Sequence, residues 1–471
     1  MSKAQFGMIG LGTMGRNFLL NVAEHGFSCL GYDLDAAKRI LLVEEGVGFQ
    51  VAAAEDQASF VAGLDSPRKI MLLVPAGPIV DAVITGLIPL LEAGDLIIDG
   101  GNSHFTDTER RSALLTEKGI EFLGVGVSGG EEGARHGASI MIGGKPDVYE
   151  HVRPMLEAAS AKVNGEPCAA HVGSGSAGHF VKMVHNGIEY GMMQLIAEAY
   201  DLLHSGFQIR DIKAAELFER WNGGELNSFL IEITATVLKK RAEDGRSLVS
   251  KILDTAGQKG TGKWTSEAAM ELGVPIPTID AAVSMRQISA LKAERVFAAE
   301  KLGVAQDVQL DETLGPDIVH FVESGLHLAF ITTYAQGFAL LQTASVEKKY
   351  DLDLVEITKI WRGGCIIRSA MLEDFRKAYE ADPKLPNLLV ADNLAKTIRN
   401  EQNILKATLK FAIAADVPCM AFASALNYLK AYASERLPAN LIQAQRDYFG
   451  AHTYQRTDQE GTFHTPDWNL G

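Results

Sequence analysis

The chain has 471 residues and a formal net charge of −15, from 59 acidic against 44 basic side chains. That balance argues against nucleic acid or an anionic membrane as a main partner, and it requires any anionic ligand to be held by a few clustered cations. The length exceeds what one core supports, so two domains plus an appendage are expected.

No apolar run reaches membrane-spanning length, the first ten residues lack a signal peptide's apolar stretch, and Cys29, Cys168, Cys365 and Cys419 have no metal-type spacing. The expectation is a cytoplasmic protein with reduced, packed thiols.

Up to about residue 175, short β-rich runs alternate with helical stretches: Gln5 to Ile9, Ser28 to Tyr32, Lys69 to Val74, Leu96 to Asp99, Ile120 to Val125 and Ser139 to Ile142. This alternation predicts an α/β Rossmann-like, doubly wound parallel sheet over residues 1–177. Gly10-Leu11-Gly12-Thr13-Met14-Gly15 follows the first run and opens an apolar helix, where its glycines let a pyrophosphate approach the helix N-terminus. The second run ends in Asp33, where a carboxylate can accept both ribose hydroxyls. Beside a 2′-phosphate that carboxylate would cost about 1 to 4 kcal/mol, so NAD is favoured over NADP. Leu34 and Asp35 add no cation, and Lys38 and Arg39 lie just beyond.

Beyond Gly178 the pattern turns to long helical runs, such as Gly191 to Ser205 and Asn227 to Glu243, which predicts an all-helical domain over residues 178–434. Trp221-Asn222-Gly223-Gly224 recurs as Trp361-Arg362-Gly363-Gly364, and Tyr190-Gly191-Met192-Met193-Gln194 has an echo in Tyr334-Ala335-Gln336-Gly337-Phe338. The similar offsets suggest an internally duplicated helical bundle. From Glu435 the periodicity fades, and residues 435–471 are expected to form an extended C-terminal tail. Its Tyr448, Phe449, Tyr454, Phe463 and Trp468 are too apolar for water, so it is expected to pack on a second subunit of a homodimer.

The first copy carries the chemistry. Lys182, His185, Asn186, Glu189 and Tyr190 share one helical face amid Phe180, Val181, Met183, Val184 and Ile188, so the polar stripe is expected to line an enclosed pocket. Lys182 and Glu189 lie two turns and roughly 10 Å apart by helical rise, a spacing suited to a base and an acid working at two atoms of one substrate.

Together with the Gly10–Gly15 turn, Asp99-Gly100-Gly101-Asn102-Ser103, Val127-Ser128-Gly129-Gly130-Glu131, the His179–Gly191 segment, Lys259-Gly260-Thr261-Gly262-Lys263-Trp264 and Gln445-Arg446 through His452 resemble the decarboxylating 6-phosphogluconate dehydrogenase family nearly end to end. The resemblance implies oxidative decarboxylation of 6-phosphogluconate to ribulose 5-phosphate and carbon dioxide, without a metal, in the pentose phosphate pathway. It implies that Lys182 takes the C3 hydroxyl proton, then polarises the C3 ketone, and that Glu189 protonates C1 of the enediol. Asn102, Ser128, Gly129, Gly130, His185 and Asn186 would hold the sugar acid. Tyr190, Lys259, Thr261 and Arg286 would grip the 6-phosphate, with Arg446 and His452 from the partner subunit's tail. The dinucleotide would meet Gly10, Leu11, Gly12, Thr13, Met14, Gly15, Asp33, Leu34, Val74, Ala76 and Asn102.

Two departures matter. NADP-dependent members typically carry Asn-Arg-Thr where this chain has Asp33-Leu34-Asp35, and the family's Val-Lys-Ala-Gly is here Val74-Pro75-Ala76-Gly77. Both remove a cation from the cofactor side, so NAD is the expected cofactor and NADP the alternative. Competing readings are a related β-hydroxyacid dehydrogenase, a metal-assisted enzyme using His185 and Glu189 without an apparent third ligand, and an idle dinucleotide sensor.

Overall fold

Short aliphatic runs, several buried along their whole length, pair into one eight-stranded sheet in a computed structural model that describes residues 3–303 and 317–468. The strands are β1 (Phe6–Ile9), β2 (Cys29–Tyr32), β3 (Val51–Ala53), β4 (Lys69–Leu72), β5 (Leu96–Asp99), β6 (Glu121–Ser128) and β7 (Ser139–Gly143). A small hairpin of β8 (Lys162–Val163) and β9 (Glu166–Pro167) precedes β10 (Ala169–Gly173), which rejoins the sheet. The order is β10-β7-β6-β5-β4-β1-β2-β3. Strands buried on both faces read as unbroken apolar runs, which is why β1 and β5 stand out in the sequence.

Two features differ from the expected all-parallel sheet. β7 runs antiparallel to β6 and pairs in parallel with β10. Only residues 129–138 separate β6 from β7, too few for a parallel crossover, so the chain turns back through the short Gly130–His136 helix. The edge strands β3 and β10 carry little alternation and were not expected as strands. The winding direction reverses between β1 and β4, which opens a crevice beyond their C-terminal ends.

By contacts the chain divides into residues 1–425 and residues 426–471, the boundary falling within the Met420–Tyr432 helix. In the larger unit the Ala177–Asp201 helix lies on β6 and β7 with no side-chain layer between them. A Cβ at Gly178 would stand 2.2 Å from the Gly124 carbonyl oxygen and 2.5 Å from that of Met141. A Cβ at Gly126 would stand 2.4 Å from the Cβ of Lys182.

The helical region repeats a pattern. The long Ala177–Asp201 helix, the Asp211–Asn222 helix and the Phe229–Lys239 helix correspond to Asp317–Glu347, Leu354–Trp361 and Met371–Ala381. Trp221 and Trp361 are both fully buried, and Ser228 pairs with Ser369 in an antiparallel bridge that joins equivalent points of the two copies. All four cysteines are buried and free, and no helix among the described residues is long and apolar enough to cross a membrane.

The smaller unit corrects the expectation of an extended tail, because it contains the Ala439–Gly450 helix. Leu441, Ile442, Tyr448 and Phe449 of that helix are exposed, so it has no one-sided burial pattern for a sequence to reveal. Asp447 is the hub of this unit: it accepts from the Thr453 and Thr465 backbone N–H groups, His464 Nδ1 and Trp468 Nε1. Burial pushes its carboxyl up, but these donors outweigh burial and hold it at about 2. Tyr454 stacks on Phe463 and meets Trp468, whereas Tyr448 and Phe449 face solvent.

Gly178→Ala tests the helix–sheet contact. Alanine in an ordinary helix position gains about 1 kcal/mol over glycine. Here the added carbon meets backbone, so the expected result in denaturant unfolding is a loss of at least about 2 kcal/mol. A neutral or stabilised variant would show that the helix can lift off the sheet without cost.

Candidate active site

The crevice beyond β1 and β4 encloses about 520 Å³ and is lined by Gly10, Gly12, Tyr32, Asp33, Leu34, Lys38, Val74, Pro75 and Ile79, among others. Gly10 has φ +96°, and a Cβ at Gly15 would lie 1.9 Å from the Gly10 carbonyl oxygen, so this turn accepts no side chain at either position. Gly12 caps the Thr13–Glu24 helix and has open space at its Cα, leaving the first-turn N–H groups available to an anion. The residues present therefore fit a dinucleotide. Leu11 is buried beneath the turn, Thr13 is exposed on it and Met14 is half-buried.

Asp33 lines the crevice at the end of β2. Its Oδ2 accepts from the Leu11 N–H at 2.8 Å, and its Oδ1 accepts from the Asp35 N–H at 2.9 Å. Lys38 Nζ stands 3.5 Å from Oδ2, closer than the sequence suggested, while Arg39 donates to the Asp33 and Leu34 carbonyls. Leu34 is almost wholly exposed, and Ala76 is exposed on the loop after β4.

The second cluster sits at the C-terminal end of β6. Lys182 Nζ donates to Asn186 Oδ1 at 2.8 Å and lies 3.5 Å from His185 Nδ1, and the other imidazole nitrogen lies 3.2 Å from Ser128 Oγ. His185 Nδ1 is 3.1 Å from Asn186 Oδ1 and 3.9 Å from Glu189 Oε2. Burial, and then the Lys182 charge, push the His185 imidazole well below its ordinary value, so it is neutral near pH 7. Burial lowers the Lys182 ammonium, with the Glu189 charge opposing it. Burial raises the Glu189 carboxyl, opposed by Lys182 and Arg286. Two groups that start far apart are thus moved toward one another.

Gly129 and Gly130 follow Ser128, both at positive φ, and open the Gly130–His136 helix. Tyr190 carries the Arg286 guanidinium 3.6 Å over its ring, and a Cβ at Gly262 would stand 2.4 Å from that ring. Thr261 begins the Thr261–Glu271 helix beside it, with Lys259 exposed two residues earlier. Tyr190, Thr261 and Arg286 are therefore brought together, and Lys259 lies on the adjoining loop. Asn102 is exposed on the loop after β5. Arg446 and His452 belong to the smaller unit, where Arg446 contacts Gln443 and His452 meets Phe449.

Sequence reasoning missed the floor of the site. Trp361 packs edge-on against His185 at 5.6 Å, and the Gly364 carbonyl closes on Gly129. The recurrence of Trp361-Arg362-Gly363-Gly364 was the available signal, read as support without its location. Among the described residues one trio of metal-capable side chains, Glu225, His327 and Glu401, lies within 4.8 Å, and it includes neither His185 nor Glu189.

Residues 5–173 match the NAD binding domain of 6-phosphogluconate dehydrogenase, and residues 178–468 match the C-terminal domain of that enzyme. The chain belongs to the decarboxylating 6-phosphogluconate dehydrogenase family. It is 49% identical to the Bacillus subtilis "6-phosphogluconate dehydrogenase, NADP(+)-dependent, decarboxylating", over 99% of this chain and all of that one. It is 47% identical to the mouse "6-phosphogluconate dehydrogenase, decarboxylating", over 99% of this chain and 97% of the relative. The Plasmodium falciparum 6-phosphogluconate dehydrogenase, solved in apo form and in complexes with NADP+ and with 6-phosphogluconate, superposes with a TM-score of 0.95 at 41% identity, covering 98% of this chain and 100% of its own. The enzyme is an NAD(P)-dependent decarboxylating dehydrogenase.

Burial at the site predicts that the Lys182 ammonium titrates abnormally. In protein labelled at lysine Cε, the resonance that vanishes in Lys182→Met should titrate clearly below the ordinary 10.5. Titration of that resonance near 10.5 would contradict the burial argument.

Proposed function

We propose that this enzyme oxidises 6-phosphogluconate at C3 and releases its C1 as carbon dioxide, with Lys182 as base and Glu189 as acid, and with NAD preferred over NADP. The observation that carries the reading is the buried hydrogen-bonded set of Lys182, His185, Asn186 and Ser128, with Glu189 one helical turn beyond His185.

The bound dinucleotide supplies the hydride acceptor. Neutral Lys182 takes the C3 hydroxyl proton as the C3 hydrogen departs with its electron pair, leaving a ketone. The resulting ammonium donates to the ketone oxygen, so the electron pair of the breaking C1–C2 bond is drawn toward C3 and carbon dioxide leaves without a metal. Lys182 gives its proton to that oxygen, forming an enediol. Glu189 protonates the carbon that becomes C1 of ribulose 5-phosphate, while Lys182 takes back the hydroxyl proton and the ketone forms. A proton passing from Lys182 to Glu189 restores the starting pair, so no net proton is consumed. Asn186 and His185 hold the lysine and the sugar in register, with Ser128, Gly129, Gly130 and Asn102 receiving the carboxylate and hydroxyls.

Tyr190, Lys259, Thr261 and Arg286 receive the 6-phosphate. We assign Arg446 and His452 to the corresponding site of a second copy, because the helix bearing Arg446 exposes Leu441, Ile442, Tyr448 and Phe449, a face suited to a homodimer. The Asp33 carboxylate in the crevice supports NAD, since a 2′-phosphate would meet a like charge. Lys38 beside Asp33, together with the NADP+ named for the Bacillus and Plasmodium relatives, favours the alternative NADP reading.

Initial rates with 6-phosphogluconate, NAD and NADP decide between them. The expected kcat/KM ratio favours NAD by roughly tenfold to a thousandfold, with carbon dioxide released and turnover cut about a thousandfold in Lys182→Met. A ratio favouring NADP that collapses in Lys38→Ala would overturn the NAD preference. Full turnover in Lys182→Met would overturn the base assignment.

A further inference from the structure

We propose that Arg111 is a positioning residue for hydride transfer, clamping the loops after β4 and β5 in one fixed relation. The proposal rests on the reading above, in which Val74 and Ala76 on the first of these loops meet the dinucleotide and Asn102 on the second receives the sugar acid.

Arg111, on the Phe105–Thr116 helix, is 1% exposed, yet its guanidinium donates hydrogen bonds to four separate residues. Nε donates to Asp81 Oδ1 at 2.8 Å, Nη2 to the Gly77 carbonyl at 3.0 Å, and Nη1 to Asp99 Oδ2 at 3.1 Å and Ser103 Oγ at 3.0 Å. Gly77 and Asp81 belong to the loop after β4 and the helix it starts, whereas Asp99 and Ser103 bracket the loop after β5. Asp99, fully buried, pins that second loop itself: Oδ1 accepts from the Gly101 N–H at 3.1 Å and Oδ2 from Ser103 Oγ at 2.7 Å. Asn102 lies between these two anchored residues.

The cluster also reaches the helix that carries the base. His179, one turn before Lys182, bonds Thr108 Oγ1 at 2.6 Å, and Thr108 is on the same helix as Arg111. His179 Nε2 is buried without a partner, beside Asp99 and Gly101.

A buried ion pair of this kind is a poor source of stability, since apolar replacements are often as stable. Its distinctive product is geometry. A guanidinium offers a planar fork that fixes several acceptors at set angles, which a lysine ammonium cannot reproduce. A shift of about 1 Å between reacting groups can cost about a hundredfold in rate. Arg111 therefore touches neither ligand but sets the separation of the loops that do.

The test uses the full-length enzyme with Arg111→Lys and the milder Ser103→Ala, measuring kcat, KM, dinucleotide Kd by fluorescence, the C3-deuterium isotope effect and the melting midpoint. Arg111→Lys should lower kcat about tenfold or more and enlarge the isotope effect, while Kd changes by less than about threefold. Ser103→Ala should move kcat and the isotope effect the same way, by less, with an unchanged midpoint. A folded Arg111→Lys variant with wild-type kcat and isotope effect would overturn the proposal, as would losses of Kd and midpoint in proportion to kcat. If Arg111→Lys does not fold, Ser103→Ala decides by the same readouts. Wild-type protein without turnover would instead remove the reaction on which the clamp depends.

Discussion

The direct contact of the Ala177–Asp201 helix with β6 and β7 governs the chemistry, because it decides how far Lys182 is withdrawn from water. Gly124, Gly126, Gly143 and Gly178 remove the side-chain layer that normally separates a helix from a sheet. The helix settles onto the strands, and the stem of Lys182 comes to rest against Gly126. Burial then penalises the ammonium, as it penalises the Glu189 carboxylate two turns along. The same packing forces the imidazole of His185 to stay neutral, so it can orient without competing for the proton. One steric feature, made of hydrogen atoms in place of methyl groups, thus moves toward each other the titrations of two residues that would be fully ionised in water.

The cofactor side obeys a different logic. There the decisive groups are fixed charges at a partly open crevice: Asp33 against the Leu11 N–H and Lys38, with Arg39 tied to backbone carbonyls. Discrimination between cofactors follows from which charge dominates where a 2′-phosphate would sit. Asp33 is held by two backbone donors, so it stays in place, whereas Lys38 is on a flexible stem and can swing. Between the two halves, the Arg111–Asp99 cluster ties the loops to one another and, through Thr108 and His179, to the Ala177–Asp201 helix.

Much of this was readable from the chain. The glycine turn, Asp33 and the Lys182 face have fixed local spacing, so their placement at the crevice and on one helix face follows from helical and strand geometry. The apolar runs of β1, β2, β4, β5 and β6 are continuous because both faces are buried. What the sequence hid depends on long-range contacts. The reversed direction of β7 hangs on the shortness of residues 129–138. The Ala439–Gly450 helix was overlooked because its apolar residues are exposed rather than aligned against a core. Trp361 under His185 and Arg111 between two loops are joined to the site across large sequence separations; the repeated Trp-x-Gly-Gly marks the first without saying where it packs, and nothing in its own neighbourhood marks the second. That Lys38 turns back to Asp33 depends on the helix that begins at Ala36.

The account stands on the claim that burial brings the Lys182 and Glu189 titrations toward each other. The most direct test is kcat/KM for 6-phosphogluconate across pH at saturating dinucleotide. With Lys182 as the proposed base and Glu189 as the proposed acid, the active form carries neutral Lys182 and protonated Glu189, so the profile should be a bell with both limbs inside the interval from 4.5 to 10.5, belonging to the pair as a whole. Limbs at 4.5 and 10.5, where a free glutamate and a free lysine titrate, would mean that burial moves neither group, and the link from glycine packing to catalysis would fail.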